Sequence, residues 1–94
     1  MNVSFADSYL KSYEALSTQE RKSVDKSIKF FQENPRHPGL AFGKLDTQDF
    51  GPDLYKFRCS AKVIAIVRKD GETYDVCYVD HWDDAFKWAG RFRG

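Results

Sequence analysis

Residues Thr73–Ala89 read TYDVCYVDHWDDAFKWA. Apolar residues alternate from Tyr74 to Val79, which predicts a strand. The chain then enters Asp80-His81-Trp82-Asp83-Asp84 and a short helix with Trp82, Ala85, Phe86 and Ala89 on one face. Asp80 is the expected N-cap, and Asp83, three residues on, is placed to reach back to the cap's backbone N–H as in a capping box. Asp83 and Asp84 also fall where the helix dipole favours negative charge. The junction puts one imidazole, His81, at the end of a strand. Imidazole both gives and takes protons near neutral pH, so His81 reads either as a first-turn helix residue with a hydrogen bond or as a proton-transfer group.

Upstream, Lys69-Asp70-Gly71-Glu72 is a hairpin signal, because Asp-Gly suits a type I′ turn. It joins the Thr73 strand to a strand over Lys62–Lys69, whose Val63-Ile64-Ala65-Ile66-Val67 core is apolar on both faces and so predicts a central strand. Before it, Leu54–Cys59 alternates, with Tyr55, Phe57 and Cys59 on one face and Leu54, Lys56 and Arg58 on the other. Arg36–Pro52 is irregular, punctuated by glycine and proline, with Leu40, Phe42 and Leu45 expected to pin it down and Lys44 expected to be exposed. At the other end, Asn2–Phe5 is a short strand. Asp7 is expected to cap a helix with Tyr9, Leu10, Tyr13 and Leu16 at helical spacing. Ser17-Thr18-Gln19-Glu20 is a capping box that starts a second helix, with Val24, Ile28 and Phe31 on its apolar stripe. Asn34-Pro35 ends that helix.

The predicted order is β-α-α-β-β-β-α: an α+β fold with an antiparallel sheet and a helical hairpin packed on one face. If the hairpin covers the Tyr55/Phe57 face, the open face carries Lys56 and Arg58 beside the strand end that holds His81.

The chain has 94 residues, read as one domain spanning 1–94. Aromatic residues make up 16% of it, large side chains that let a short chain bury enough apolar area to fold. A net charge of +1 excludes a strongly basic nucleic-acid binder, so any contact with RNA or DNA must come from local patches. The two cysteines, Cys59 and Cys77, fall in separate predicted strands, and with His37 and His81 they show no zinc-ligand spacing. No structural metal and no cofactor are expected. The absence of a signal peptide and of an apolar run of membrane-spanning length points to a cytoplasmic protein with reduced thiols and no membrane partner.

The segment LYKFRCSAKVIAIVRKDGETYDVCYVDHWDDAFKWA (54–89), the upstream HPGLAFGKL (37–45) and the order of elements together resemble the RelE/ParE superfamily of toxins from type II toxin–antitoxin modules. The likeness covers nearly the whole chain. It is strongest to a subgroup ending in Val-Asp-His-x-Asp-Asp-Ala-x-x-Trp-Ala, which is also similar to RelE-like domains attached to UvrD-like helicases.

For the nuclease branch, the resemblance implies metal-independent cleavage of ribosome-bound mRNA, in which a 2′-hydroxyl attacks the neighbouring phosphate. Such a reaction needs a base, an acid and fixed cations around the phosphate. Carried over by position, His81 is the acid or base, and Arg58 and Lys56 stabilise the phosphate. Lys44, Arg68, Arg91 and Arg93 contact substrate, and Asp80 or Asp84 orients the imidazole.

The resemblance further implies a cognate antitoxin lying over the toxin surface, with Trp88 or Phe92 as anchors. The competing readings are a ParE-like inhibitor of DNA gyrase and a non-toxic interaction domain that keeps the fold.

Overall fold

The structure, a computed structural model, describes residues 2–45 and 54–92; the substrate-contact role expected of Arg93 lies outside the described residues. The chain runs β1 (Asn2–Phe5), α1 (Asp7–Glu14), α2 (Thr18–Glu33), a 3-10 turn (Pro38–Leu40), β2 (Gly43–Lys44), β3 (Leu54–Arg58), β4 (Val63–Asp70), β5 (Thr73–His81) and α3 (Trp82–Arg91). The strands form one sheet in the order β1-β5-β4-β3-β2. The meander β3-β4-β5 is antiparallel, as its short connections require. β1 lies parallel to β5, which makes the sheet mixed, and the two-residue β2 adds an edge strand beside β3 that the irregular sequence did not announce.

β4 is the middle strand, and Val63 to Val67 are all buried. The reason is that both sheet faces are covered. On one face α1, α2 and the link between them pack Tyr9, Leu16, Val24 and Phe31 against Phe57, Val63, Ala65, Val67, Val76 and Val79. On the other, α3 packs Ala85 and Ala89 against Leu54, Ile64 and Ile66, with Tyr78, Trp82, Trp88 and Phe92 at the margin. The hairpin therefore covers the Tyr55/Phe57 face, and α3 occupies much of the face that carries Lys56.

Several local expectations are corrected. Asp80 is not the cap of α3. β5 stays paired as far as His81, opposite Val63, so the helix begins one residue later and His81 occupies the N-cap position without a side-chain capping bond. Asp7 is the first residue of α1 and not its cap; Ala6 holds that position, its N–H donating to the Val76 carbonyl at 3.0 Å. Leu10 and Phe86, assigned to apolar stripes, are 48% and 40% exposed because each lies at the edge of its helix's contact with the sheet. Asp70 pairs with Thr73, so the hairpin's central residues are Gly71 and Glu72. Of these two, Gly71 alone has positive φ, the pattern of a type II′ turn and not I′. The Ser17 capping box is present in full, with Ser17 Oγ accepting from Glu20 N and Glu20 Oε1 accepting from Ser17 N.

Candidate functional site

Sheet register decides which predicted residues meet. Lys56 pairs with Ile66 and Ile66 with Tyr78; Arg58 pairs with Ile64 and Ile64 with Asp80. Both rows belong to the α3 face, since Ile64 and Ile66 pack against α3. His81 pairs with Val63, which packs against α1 and α2. His81 therefore projects to the face opposite Lys56, while Arg58, at the last position of β3, borders the cleft beside α2. The expectation of one surface carrying all three is corrected. Side chains alternate along a strand, and β5 continues one residue past the junction that the sequence seemed to mark.

What His81 meets is Glu20, in the first turn of α2. Its Nε2 lies 2.5 Å from Glu20 Oε2, with His81's side chain 47% exposed. Glu20 is held twice: Oε1 accepts the Ser17 N–H, and Oε2 accepts from the imidazole. Its carboxyl sits below the ordinary Glu range, first because of the Ser17 backbone hydrogen bond and then because of His81. An ionised Glu20 makes Nε2 the protonated nitrogen and leaves Nδ1 as the one able to accept a proton.

Asp80 lies beside the ring without a hydrogen bond to it. Its Oδ1 accepts His81's own backbone N–H at 2.8 Å, and its Oδ2 accepts the Tyr78 hydroxyl at 3.1 Å. With both oxygens engaged, the carboxylate stands 3.6 Å from Nδ1, too far for a hydrogen bond. The result is a chain of contacts, Tyr78–Asp80–His81–Glu20, that joins the two faces around the end of β5. Burial, and then the bond to Asp80, raise the Tyr78 phenol above its ordinary pKa, so it serves as a donor. Donor atoms of Asp80, His81 and Asp84 lie within 4.8 Å of one another, a spacing at which these three could hold a cation.

The remaining predicted residues are dispersed. Lys56 places its ammonium 5.5 Å above the Trp82 ring. Arg58 is exposed, its Nε donating to the Ser60 carbonyl at 3.4 Å, and it lines a cleft with α2. Arg68 pairs with Leu54 and Asp75, at the opposite end of the sheet from His81. Lys44 pairs with Tyr55, which puts it in a row on the α1/α2 side of the sheet edge. Arg91 and Asp84 share a groove with Trp88 and Phe92, where Trp88 stacks on Tyr78 at 4.8 Å. Two participants escaped the sequence reading. Glu20 was accounted for by its capping box, and Lys62, which shares a cleft with Glu20 and Ser60, looked like an ordinary strand-end lysine. The capping motif was legible, but the second use of the Glu20 carboxylate is made across 61 residues.

An N-terminal strand, a helical hairpin, a three-stranded meander and a C-terminal helix on the far face define the RelE-like toxin fold, and this chain has it. The RelE of a RelB–RelE antitoxin–toxin complex from Methanococcus jannaschii superposes with a TM-score of 0.70 at 17% identity, over 90% of this chain and 96% of that one. YafQ from E. coli superposes with a TM-score of 0.69 at 11% identity, over 90% of this chain and 97% of that one. YoeB from Staphylococcus aureus, solved as a dimer, gives 0.64 at 14% identity, over 86% and 95%. No protein-family profile matches the chain, and no curated protein sequence does.

Proposed function

We propose that this protein is the toxin of a toxin–antitoxin pair and a metal-independent endoribonuclease acting on ribosome-bound mRNA in the cytoplasm, with His81 as its general base. The observation that carries the reading is the Glu20–His81 pair. A carboxylate on Nε2 fixes the tautomer and leaves Nδ1 free to take a proton, the division of labour by which an acid residue orients a catalytic histidine. In the proposed reaction Nδ1 takes the 2′-hydroxyl proton. The 2′ oxygen attacks the adjacent phosphorus, and the 5′ oxygen leaves with a proton from the imidazolium or water, giving a 2′,3′-cyclic phosphate. Lys62 and Arg58, at the same end of the sheet, supply positive charge. A positioned base contributes roughly 10²–10⁴-fold. The antitoxin would cover the α3 face, where Phe86 is 40% exposed beside Trp82.

A non-catalytic reading, as gyrase inhibitor or interaction domain, is favoured by a different observation. Lys56 is held over Trp82 and Asp80 is consumed by Tyr78 and the His81 backbone, so these three polar groups on the α3 face, Lys56, Tyr78 and Asp80, are engaged internally. Induced expression of the chain alone, with RNA 5′ ends mapped beside a His81→Ala variant, separates the two. Translation-dependent ends that disappear in the variant support the nuclease. Growth arrest with intact mRNA, or ends that persist in His81→Ala, overturns the assignment.

A further inference from the structure

We propose that the cleft between α2, the Pro38–Leu40 turn and the β3–β4 connection binds a phosphate group. It has a volume of about 320 Å³, and among the described residues no carboxylate lines it. Two cations do: Lys26 from α2 and Arg58 from the end of β3.

Two further groups in its wall, His37 and Ser60, have their hydrogen-bonding roles fixed by the protein. His37 Nδ1 accepts the Gly39 N–H at 3.1 Å, which puts the ring's proton on Nε2 as a donor. The close approach depends on Gly39, because a Cβ there would come within 3.3 Å of Nδ1. The ring itself is held against Phe30 in a stack with centroids 4.7 Å apart. Ser60 Oγ accepts two backbone N–H groups, from Lys62 and Val63, each at 3.2 Å. Its acceptor capacity is used, so its own proton is left to donate. Arg58 is fixed through Nε to the Ser60 carbonyl, which leaves the two terminal nitrogens of its fork to donate elsewhere.

Donors thus come from three separate elements, and among the described residues no carboxylate opposes them. That arrangement suits a tetrahedral anion more than a planar carboxylate, and the guanidinium fork matches phosphate oxygens. Glu20 lines the adjoining cleft, where Ser17 and His81 already engage it. The site lies on the α2 side of the sheet end and does not require that the protein cleave RNA. It takes a phosphomonoester or a phosphodiester equally by these contacts, and the source is left to the assay.

The test is titration of the ¹⁵N-labelled chain with inorganic phosphate, with sodium chloride at matched ionic strength as the control. Parallel arms use a nucleoside 5′-monophosphate and a dinucleoside phosphodiester. The expected result is a saturable shift of the Gly39 and Ser60 amides with phosphate and not with chloride. Lys26→Ala and Arg58→Ala should each weaken it about 10-fold or more, while the rest of the spectrum shows the fold intact. Saturation by the monophosphate alone identifies a phosphomonoester site; saturation by both identifies one that accepts a diester backbone. No saturable shift, an equal response to chloride, or binding unchanged in both variants would overturn the proposal. Loss of RNA cleavage in His81→Ala with phosphate binding retained would separate this site from the proposed nuclease chemistry.

Discussion

Glu20 Oε2 and His81 Nε2 lie 2.5 Å apart, joining the first turn of α2 to the last residue of β5. One carboxylate both closes a helix cap and holds an imidazole. The two duties can be separated by mutation, because glutamine is accepted at the third position of a capping box but carries no charge.

Glu20→Gln should therefore change how stability depends on pH. The folded-state pKa of Glu20 is depressed, so its contribution is present above the ordinary value of 4.5 and is lost as pH falls through the lower folded value. Thermal melts of wild type and Glu20→Gln should differ most near neutral pH, and the gap should close as pH falls through the lowered pKa of Glu20. A gap that stays constant across that range would show that the charge on Glu20 contributes nothing. If the nuclease reading holds, the same variant should also slow cleavage.

Ser17→Ala removes the acceptor for the Glu20 N–H and leaves the first turn of α2 unsatisfied. The expected loss is about 1 kcal/mol, read as a lower urea midpoint with an unchanged slope.

Phe57 stacks on Phe31 at 4.7 Å, and both rings are fully buried under the hairpin. Phe57→Ala should cost about 3–5 kcal/mol in urea unfolding, enough to leave much of the chain unfolded at moderate temperature.

The cysteines should be chemically quiet. Burial pushes the Cys59 thiol up to about 12 and the Cys77 thiol up to about 11 from an ordinary 9.0. Thiolate populations at pH 8 are then lower by about 10²–10³ than for an unperturbed thiol. Alkylation of the native chain should label neither residue on a timescale that labels both in urea.

Gly71 sits at φ +63° at the first central position of the β4–β5 hairpin. Its position is open in space, so Gly71→Ala meets no clash, only the left-handed backbone penalty of about 1–2 kcal/mol. The melting temperature should fall without loss of the antiparallel register.

Much of the architecture could be read along the chain because it is written in local patterns. The Ser17-to-Glu20 box started a helix where the structure has one, the apolar Val63–Val67 run lies in the middle of the sheet, and a hairpin follows it, one residue later than Asp70-Gly71 announced. Each is a choice made within a few residues: a cap satisfying orphan N–H groups, a strand buried on both faces, a glycine free to take positive φ. The surroundings of His81 were not legible. Whether β5 ended at Val79 or at His81 hung on pairing with Val63, and a shift of one residue exchanges the two faces of a sheet. That register, with the packing of α2 across the same face, gave His81 to Glu20 and kept it from Lys56. The sequence by itself determined the elements and the apolar faces that had to be buried. Only the tertiary structure decided which polar side chains came within hydrogen-bond reach, because such contacts span 61 residues here and depend on ångström-scale register that no local pattern encodes.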